Sequence, residues 1–178
     1  MQKTLKNYNK VGVLGGTFDP PHIGHLYISK YSIKKLKLQK VLWAITKQNP
    51  LKKKSYLSKK MRIRLSKNLI RKEKKIFVKY FDDIIKSKNT FDLLMYLKKK
   101  NKKNKLFFIM GADNLINFHK WKNWKKIAQI AKIVVFARSN YSAKALNSVA
   151  AKNLEKSDWK YIRGKKINIS SSLIRKFW

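Results

Sequence analysis

Short apolar runs recur along the chain and are separated by longer amphipathic stretches. Val11-Gly12-Val13-Leu14, Val41-Leu42-Trp43-Ala44-Ile45, Ile76-Phe77-Val78-Lys79-Tyr80, Leu106-Phe107-Phe108-Ile109-Met110 and Ile133-Val134-Val135-Phe136 read as five strands. A sixth is expected at Lys166 to Ile169. Between them, apolar residues at helical spacing predict helices from about His22 to Leu36 and, after an N-cap at Ser58, over Met61 to Ile70. Further helices are expected from a cap at Thr90 through Leu97, over Asp113 to Phe118, over Trp124 to Ala131, and from Ser170 through Phe177. The polar stretch Ser139 to Asp158 has no clear period. Most strands are continuously apolar rather than alternating, which indicates a parallel sheet covered on both faces. The expected fold is a single α/β domain over residues 1–178, a Rossmann-like doubly wound sheet with its chemistry at the carboxyl ends of the strands.

Composition changes this picture only in part. The chain carries 45 Lys plus Arg against 8 Asp plus Glu, a formal net charge of +37. Such a surplus first suggests nucleic acid. Only six of the cations are Arg, however, and the lysines run evenly from Lys3 to Lys176. Arg is the residue that reads phosphates and bases with a bidentate fork. A solvated basic surface is therefore expected, with no specific nucleic acid as partner, although a positive field can speed the capture of polyanions until salt screens it. The absence of Cys removes disulfides and thiolate chemistry. No apolar run approaches the roughly 20 residues of a membrane span, so a cytoplasmic protein is expected. The oligomeric state has no signature in the sequence.

The turn after the first strand carries the chemistry. It reads Gly15-Gly16-Thr17-Phe18-Asp19-Pro20-Pro21-His22-Ile23-Gly24-His25 and holds two of the three histidines of the chain. Glycines let the backbone approach a ligand, Thr17 adds a hydroxyl, and the following helix aims its N-terminal amides at the same place. His22 and His25, at i and i+3, share a side of the helix start and can donate to phosphate oxygens. The string is neither G-x-G-x-x-G nor a Walker loop, which argues against dinucleotide oxidoreductases and P-loop NTPases. Asp19 is the one further metal ligand nearby, too few for zinc.

This string resembles the T/HxGH signature of the nucleotidylyltransferase superfamily. Ile169-Ser170-Ser171-Ser172-Leu173-Ile174-Arg175 resembles its ISSTxIR segment, with Ser172 where Thr is usual. The remaining loops resemble bacterial nicotinate-nucleotide adenylyltransferases. Gln48-Asn49-Pro50-Leu51-Lys52 is similar to an NPxK stretch, and Thr90-Phe91-Asp92-Leu93-Leu94 to a TxDTL segment. Gly111-Ala112-Asp113-Asn114-Leu115, running on to Trp121, is similar to a GxDxLxxFxxW pattern. Arg138-Ser139-Asn140-Tyr141 matches an R-P-G-Y corner without its Pro and Gly. The literal His-Ile-Gly-His also occurs in first-class aminoacyl-tRNA synthetases, but 178 residues leave no room for their anticodon domain.

The resemblance implies transfer of AMP from ATP to nicotinate mononucleotide, giving deamido-NAD and pyrophosphate. The alternatives are nicotinamide mononucleotide or 4′-phosphopantetheine as acceptor and, in a different class, a basic nucleic-acid-binding protein. The implied catalytic residues are His22, His25, Thr17, Lys52 and Arg175. The implied ATP site adds Gly15, Gly16, Phe18, Gly111, Asp113, Arg138, Ser170, Ser171 and Ser172. Asn49, Thr90 and Trp121 are implied for the mononucleotide, with Trp121 stacking on the pyridine ring. Mg²⁺ is expected to enter with ATP, held by phosphates and water rather than by protein ligands. His119 is expected to be structural.

Overall fold

The structure is a computed structural model that describes residues 9–48, 54–164 and 169–178. Its six strands are β1 (Asn9–Gly16), β2 (Lys40–Ile45), β3 (Ile76–Tyr80), β4 (Asn104–Gly111), β5 (Ala131–Phe136) and β6 (Trp159–Ile162). They form one sheet in the order β3-β2-β1-β4-β5-β6, every neighbouring pair parallel. The chain order reverses between β1 and β4, so the loops leaving these two strands diverge and open a crevice at their carboxyl ends.

Successive side chains of a strand point to opposite faces, and the continuous apolar runs serve two cores for this reason. Val11, Val13, Leu106, Phe108 and Met110 join one buried cluster, to which α4 (Thr90–Lys100), α5 (Ala112–Ile116) and α6 (Trp124–Ile130) contribute. Leu14, Trp43, Phe107 and Ile109 join the other, against which α1 (Ile23–Leu36) and α2 (Lys59–Leu69) pack. One polar bond pins α1 to the sheet inside this second core. The Trp43 indole N–H donates to Ser29 Oγ at 2.8 Å, and Ser29 Oγ donates to the His25 carbonyl, also at 2.8 Å.

The differences from the sequence reading lie in the short elements. The sixth strand is Trp159–Ile162, not Lys166 to Ile169. Residues 165–168 lie outside the described residues, and Ile169 is in no strand. An edge strand of four residues with polar neighbours has too little apolar contrast to be read. Thr90 begins α4 but does not cap it; Asn89 occupies the cap position, and its amide instead donates to Ser87 Oγ and Asp92 Oδ2. The stretch Ser139 to Asp158 holds α7 (Ser142–Leu146) and α8 (Val149–Asn153), and α3 (Asp82–Ile85) follows β3. The last helix shortens to α9 (Ser171–Ile174) and continues as a 3₁₀ turn. Among the described residues no helix is long and apolar enough to cross a membrane.

Candidate active site

A cleft of about 1050 Å³ opens at the carboxyl ends of β1 and β4. That is room for a dinucleotide-sized ligand, at the upper end of ordinary ligand pockets. Gly15, Gly16, Thr17, His22 and His25 line it from the first loop, and Gly111 and Asp113 from the end of β4. Arg138 enters after β5, Ser170, Ser171, Ser172 and Arg175 from the C-terminal turn, and Thr90 and Trp121 from the far wall. Residues distant in sequence by more than 150 positions thus share one space. Asn49 and Lys52 lie outside the described residues.

The histidines are held in a way their spacing only partly foretold. His22 is not the first helical residue but the N-cap of α1, and His25 is its third residue. The Gly24 amide donates to His22 Nδ1 at 3.1 Å, and the His22 amide donates to His25 Nδ1 at 3.2 Å. Two imidazoles therefore form the reciprocal capping arrangement usually made by a hydroxyl and a carboxylate. The chemical consequence is a fixed tautomer. A ring nitrogen that accepts from a backbone N–H carries no proton, so each neutral ring holds its proton on Nε2. Burial and, after it, the charge of Arg138 hold the His22 pKa down to about 4. At neutral pH His22 is thus an uncharged N–H donor.

The two rings lie close together and tilted by 37°, with centroids 3.9 Å apart. Phe18 packs behind His25 at 4.7 Å and on Trp43 at 5.0 Å. Phe18 is only 2% exposed, yet it is among the residues lining the cleft, where it supports the His25 ring. Phe18 also takes a left-handed φ of 50°, a conformation unfavourable for a bulky residue and kept here by the packing of its ring on both sides.

The other candidate groups are partly committed to the protein. Asp113 Oδ2 accepts from Arg138 at 2.7 Å. A methyl on Gly111 would lie 2.5 Å from Asp113 Oδ1, so only glycine lets this carboxylate fold back over the end of β4. Ser170 Oγ caps α9 by accepting from the Leu173 amide, and Ser171 Oγ donates to the Pro20 carbonyl at 2.8 Å. Arg175 donates to the Asp19 carbonyl and to Ser172 Oγ, so the C-terminal turn closes directly onto the first loop. Trp121 is partly buried, edge-on to Phe118 and Phe108, while also lining the cleft. Asp92 turns away from the cleft and pairs with Lys122 at 3.2 Å, tying the start of α4 to the segment of Trp121. His119 has a buried Nδ1 with no hydrogen-bond partner among the described residues and does not line the cleft.

Sequence reasoning missed Arg62 and Asp82. Arg62 is 1% exposed and donates to four backbone carbonyls, those of Thr17, Thr46, Lys47 and Leu57. Asp82 accepts from Thr46 Oγ1 at 2.7 Å and from the Lys47 amide at 2.8 Å. The available signal was scarcity: six arginines and eight acids in so basic a chain each needed locating.

Comparison with known proteins agrees with this geometry. Residues 13–177 match the family model described as cytidylyltransferase-like. A protein of Pelagibacter ubique named a probable nicotinate-nucleotide adenylyltransferase is 50% identical over 180 residues, covering 99% of both chains. One of Bradyrhizobium sp. (strain ORS 278) with the same name is 32% identical, covering 93% of this chain and 95% of its own. The solved Plasmodium falciparum nicotinic acid mononucleotide adenylyltransferase complexed with NaAD superposes with a TM-score of 0.75 over 96% of this chain and 84% of its own. At 19% identity that likeness bears on the fold. The chain belongs to the cytidylyltransferase-like family and, within it, to the nicotinate-nucleotide adenylyltransferases.

Proposed function

We propose that this protein transfers AMP from ATP to nicotinate mononucleotide, releasing pyrophosphate and forming nicotinate adenine dinucleotide, in the cytoplasm where ATP is available. The observation that carries this reading is the pair of imidazoles at the head of α1, each accepting a backbone amide at Nδ1 and so left with Nε2 to donate, beside Arg138 and Arg175 in one cleft.

An oxygen of the acceptor phosphate attacks the α-phosphorus in line. The new P–O bond forms as the bond to the bridging α–β oxygen breaks, and pyrophosphate leaves with that electron pair. The attacking oxygen is already anionic, so no general base is required. Catalysis then rests on position and on donors aimed at the oxygens where charge builds up. His22, His25 and Thr17 serve the transferred phosphoryl group; Arg175, Ser172 and Lys52 serve the leaving pyrophosphate. Trp121 offers a ring face to the pyridine, and Thr90 the start of α4 to its carboxylate. Mg²⁺ would arrive with ATP, held by phosphates and water, because the carboxylates at the cleft are already engaged: Asp19 and Asp82 with backbone amides, Asp113 with Arg138.

The test is pyrophosphate release from ATP, run in parallel with nicotinate mononucleotide, nicotinamide mononucleotide and 4′-phosphopantetheine. The acid mononucleotide should give the highest kcat/KM. His22→Ala should lower kcat about 10²–10³-fold, the loss expected for one preorganised donor, with the fold intact by circular dichroism. Preference for another acceptor, or normal turnover without His22, would overturn the reading.

A further inference from the structure

Arg62 is a buried cation whose nearest partners are backbone carbonyls. Its Nε donates to the Leu57 carbonyl at 3.1 Å, one Nη to those of Thr17 and Thr46, and the other to that of Lys47 at 3.0 Å. No ion pair within 4.0 Å forms at Arg62 among the described residues. Burial pulls its pKa below the ordinary value, opposed by the more distant charges of Asp19 and Asp82. Burying such a charge is costly and is offset only where its donors are satisfied, as four carbonyls satisfy them here. What a guanidinium does supply is a rigid planar fork that fixes several acceptors in one geometry.

The acceptors form a pattern. The Leu57 amide donates to Asp19 Oδ1 at 2.8 Å while its carbonyl accepts from Arg62. The Lys47 amide donates to Asp82 Oδ2 while its carbonyl accepts from Arg62. Each end of the loop joining β2 to α2 is thus gripped by a carboxylate on its N–H and by one shared guanidinium on its C=O. The same guanidinium takes the carbonyl of Thr17, immediately before Phe18, whose ring backs His25. The Thr46 amide completes the join by donating to the Gly16 carbonyl at 3.0 Å.

We propose that Arg62 is a positioning residue for the transfer reaction, its guanidinium fixing both stems of the β2–α2 loop against the histidine-bearing loop, with Asp19 and Asp82 holding the complementary amides. The inference rests on the transferase reading. It requires arginine rather than positive charge as such, because a single ammonium cannot reach four carbonyls spread around a fork.

Three variants test it: Arg62→Lys, Arg62→Ala, and Leu94→Ala, a change of a fully buried residue of α4 that does not line the cleft. Turnover is measured per folded molecule, alongside hydrogen exchange of the Lys47 and Leu57 amides. Arg62→Lys should lower kcat at least 10-fold and speed both amides by 10-fold or more, whereas Leu94→Ala should lose stability but keep kcat within twofold. Guanidinium at tens of millimolar should restore part of the activity of Arg62→Ala and leave Leu94→Ala unchanged; if Arg62→Ala does not fold, Arg62→Lys decides alone. An Arg62→Lys enzyme with wild-type kcat, or with unchanged exchange at both amides, would overturn the positioning role. Absence of pyrophosphate release by the wild type would instead overturn the transferase reading on which the role rests.

Discussion

Adding one methyl group at Gly24 should separate activity from stability. Gly24 is the second residue of α1, and its amide donates to His22 Nδ1. A Cβ there would lie 2.8 Å from His22 Nδ1, 2.9 Å from Cε1 and 3.3 Å from Ile169 Cγ2. Ordinary contact begins near 3.4 Å, so the imidazole must retreat by about 0.6 Å or rotate off its cap. Donors of this kind contribute about 2.7–4 kcal/mol when correctly placed. Losing roughly half of that through displacement predicts a fall in kcat of about 10- to 30-fold. Stability should hardly move. Ala gains about 1 kcal/mol over Gly inside a helix, and a lost cap costs about 1 kcal/mol, so the two nearly cancel. The assay is pyrophosphate release at saturating ATP and mononucleotide, paired with urea unfolding of the same preparation. Gly24→Ala with kcat within twofold of wild type would refute the argument that the His22 ring position is set by this contact. A large stability loss would refute the other half.

The tautomer argument makes a pH prediction. The unfolded chain binds a proton on His22 below about pH 6.5, while the native ring stays neutral down to about 4, so stability should fall as pH drops through that window and level off beneath it. The ceiling is about 3 kcal/mol at 1.36 kcal/mol per pKa unit, reduced to roughly 1–2 because the ring is partly exposed to solvent. Urea unfolding of wild type and His22→Gln at matched pH isolates it, and parallel slopes between pH 6.5 and 4 would count against it. Ser29→Ala removes the acceptor of the buried Trp43 indole N–H and should cost about 1–3 kcal/mol, measured by the same unfolding experiment, with no change in KM.

Much of the fold was readable because long, strongly periodic elements dominate it. Five strands and the helices α1, α2 and α4 follow from apolar runs and spacing alone. The elements not legible are short. In β6, α3, α7 and α8, four or five residues each, local propensity is too weak to specify structure and packing against the sheet decides it. The cleft was legible to the extent that glycines, histidines and their spacing mark a loop that must approach a ligand. The bracket of Arg62 and Asp82 was not, because most of its partners are backbone carbonyls and amides, which have no letter in the sequence. For the same reason the serines of the Ser170 run, read toward ATP, prove to spend two of their hydroxyls on a cap and on the Pro20 carbonyl.

The net charge of +37 takes on a different meaning once the acids are located. Four of the eight, Asp19, Asp82, Asp92 and Asp113, lie in the cleft or directly brace its walls. A bare carboxylate beside a site for two phosphate-bearing ligands would repel them, at a cost that grows as water is excluded. Each of the four is engaged by the protein itself: Asp19 by two amides with Arg175 at 3.9 Å, Asp82 by an amide and a hydroxyl, Asp92 by Lys122, Asp113 by Arg138. The acids thus act as fasteners for loops, and the large surplus of cations keeps the field a phosphate meets positive. Two of these fasteners hold ends of the loop that Arg62 also holds, so buried cation and buried anion shape the same turn from opposite sides of its peptide groups. Lysines in excess raise the potential everywhere, but the few acids and the single buried arginine fix where the phosphate-binding loops can stand.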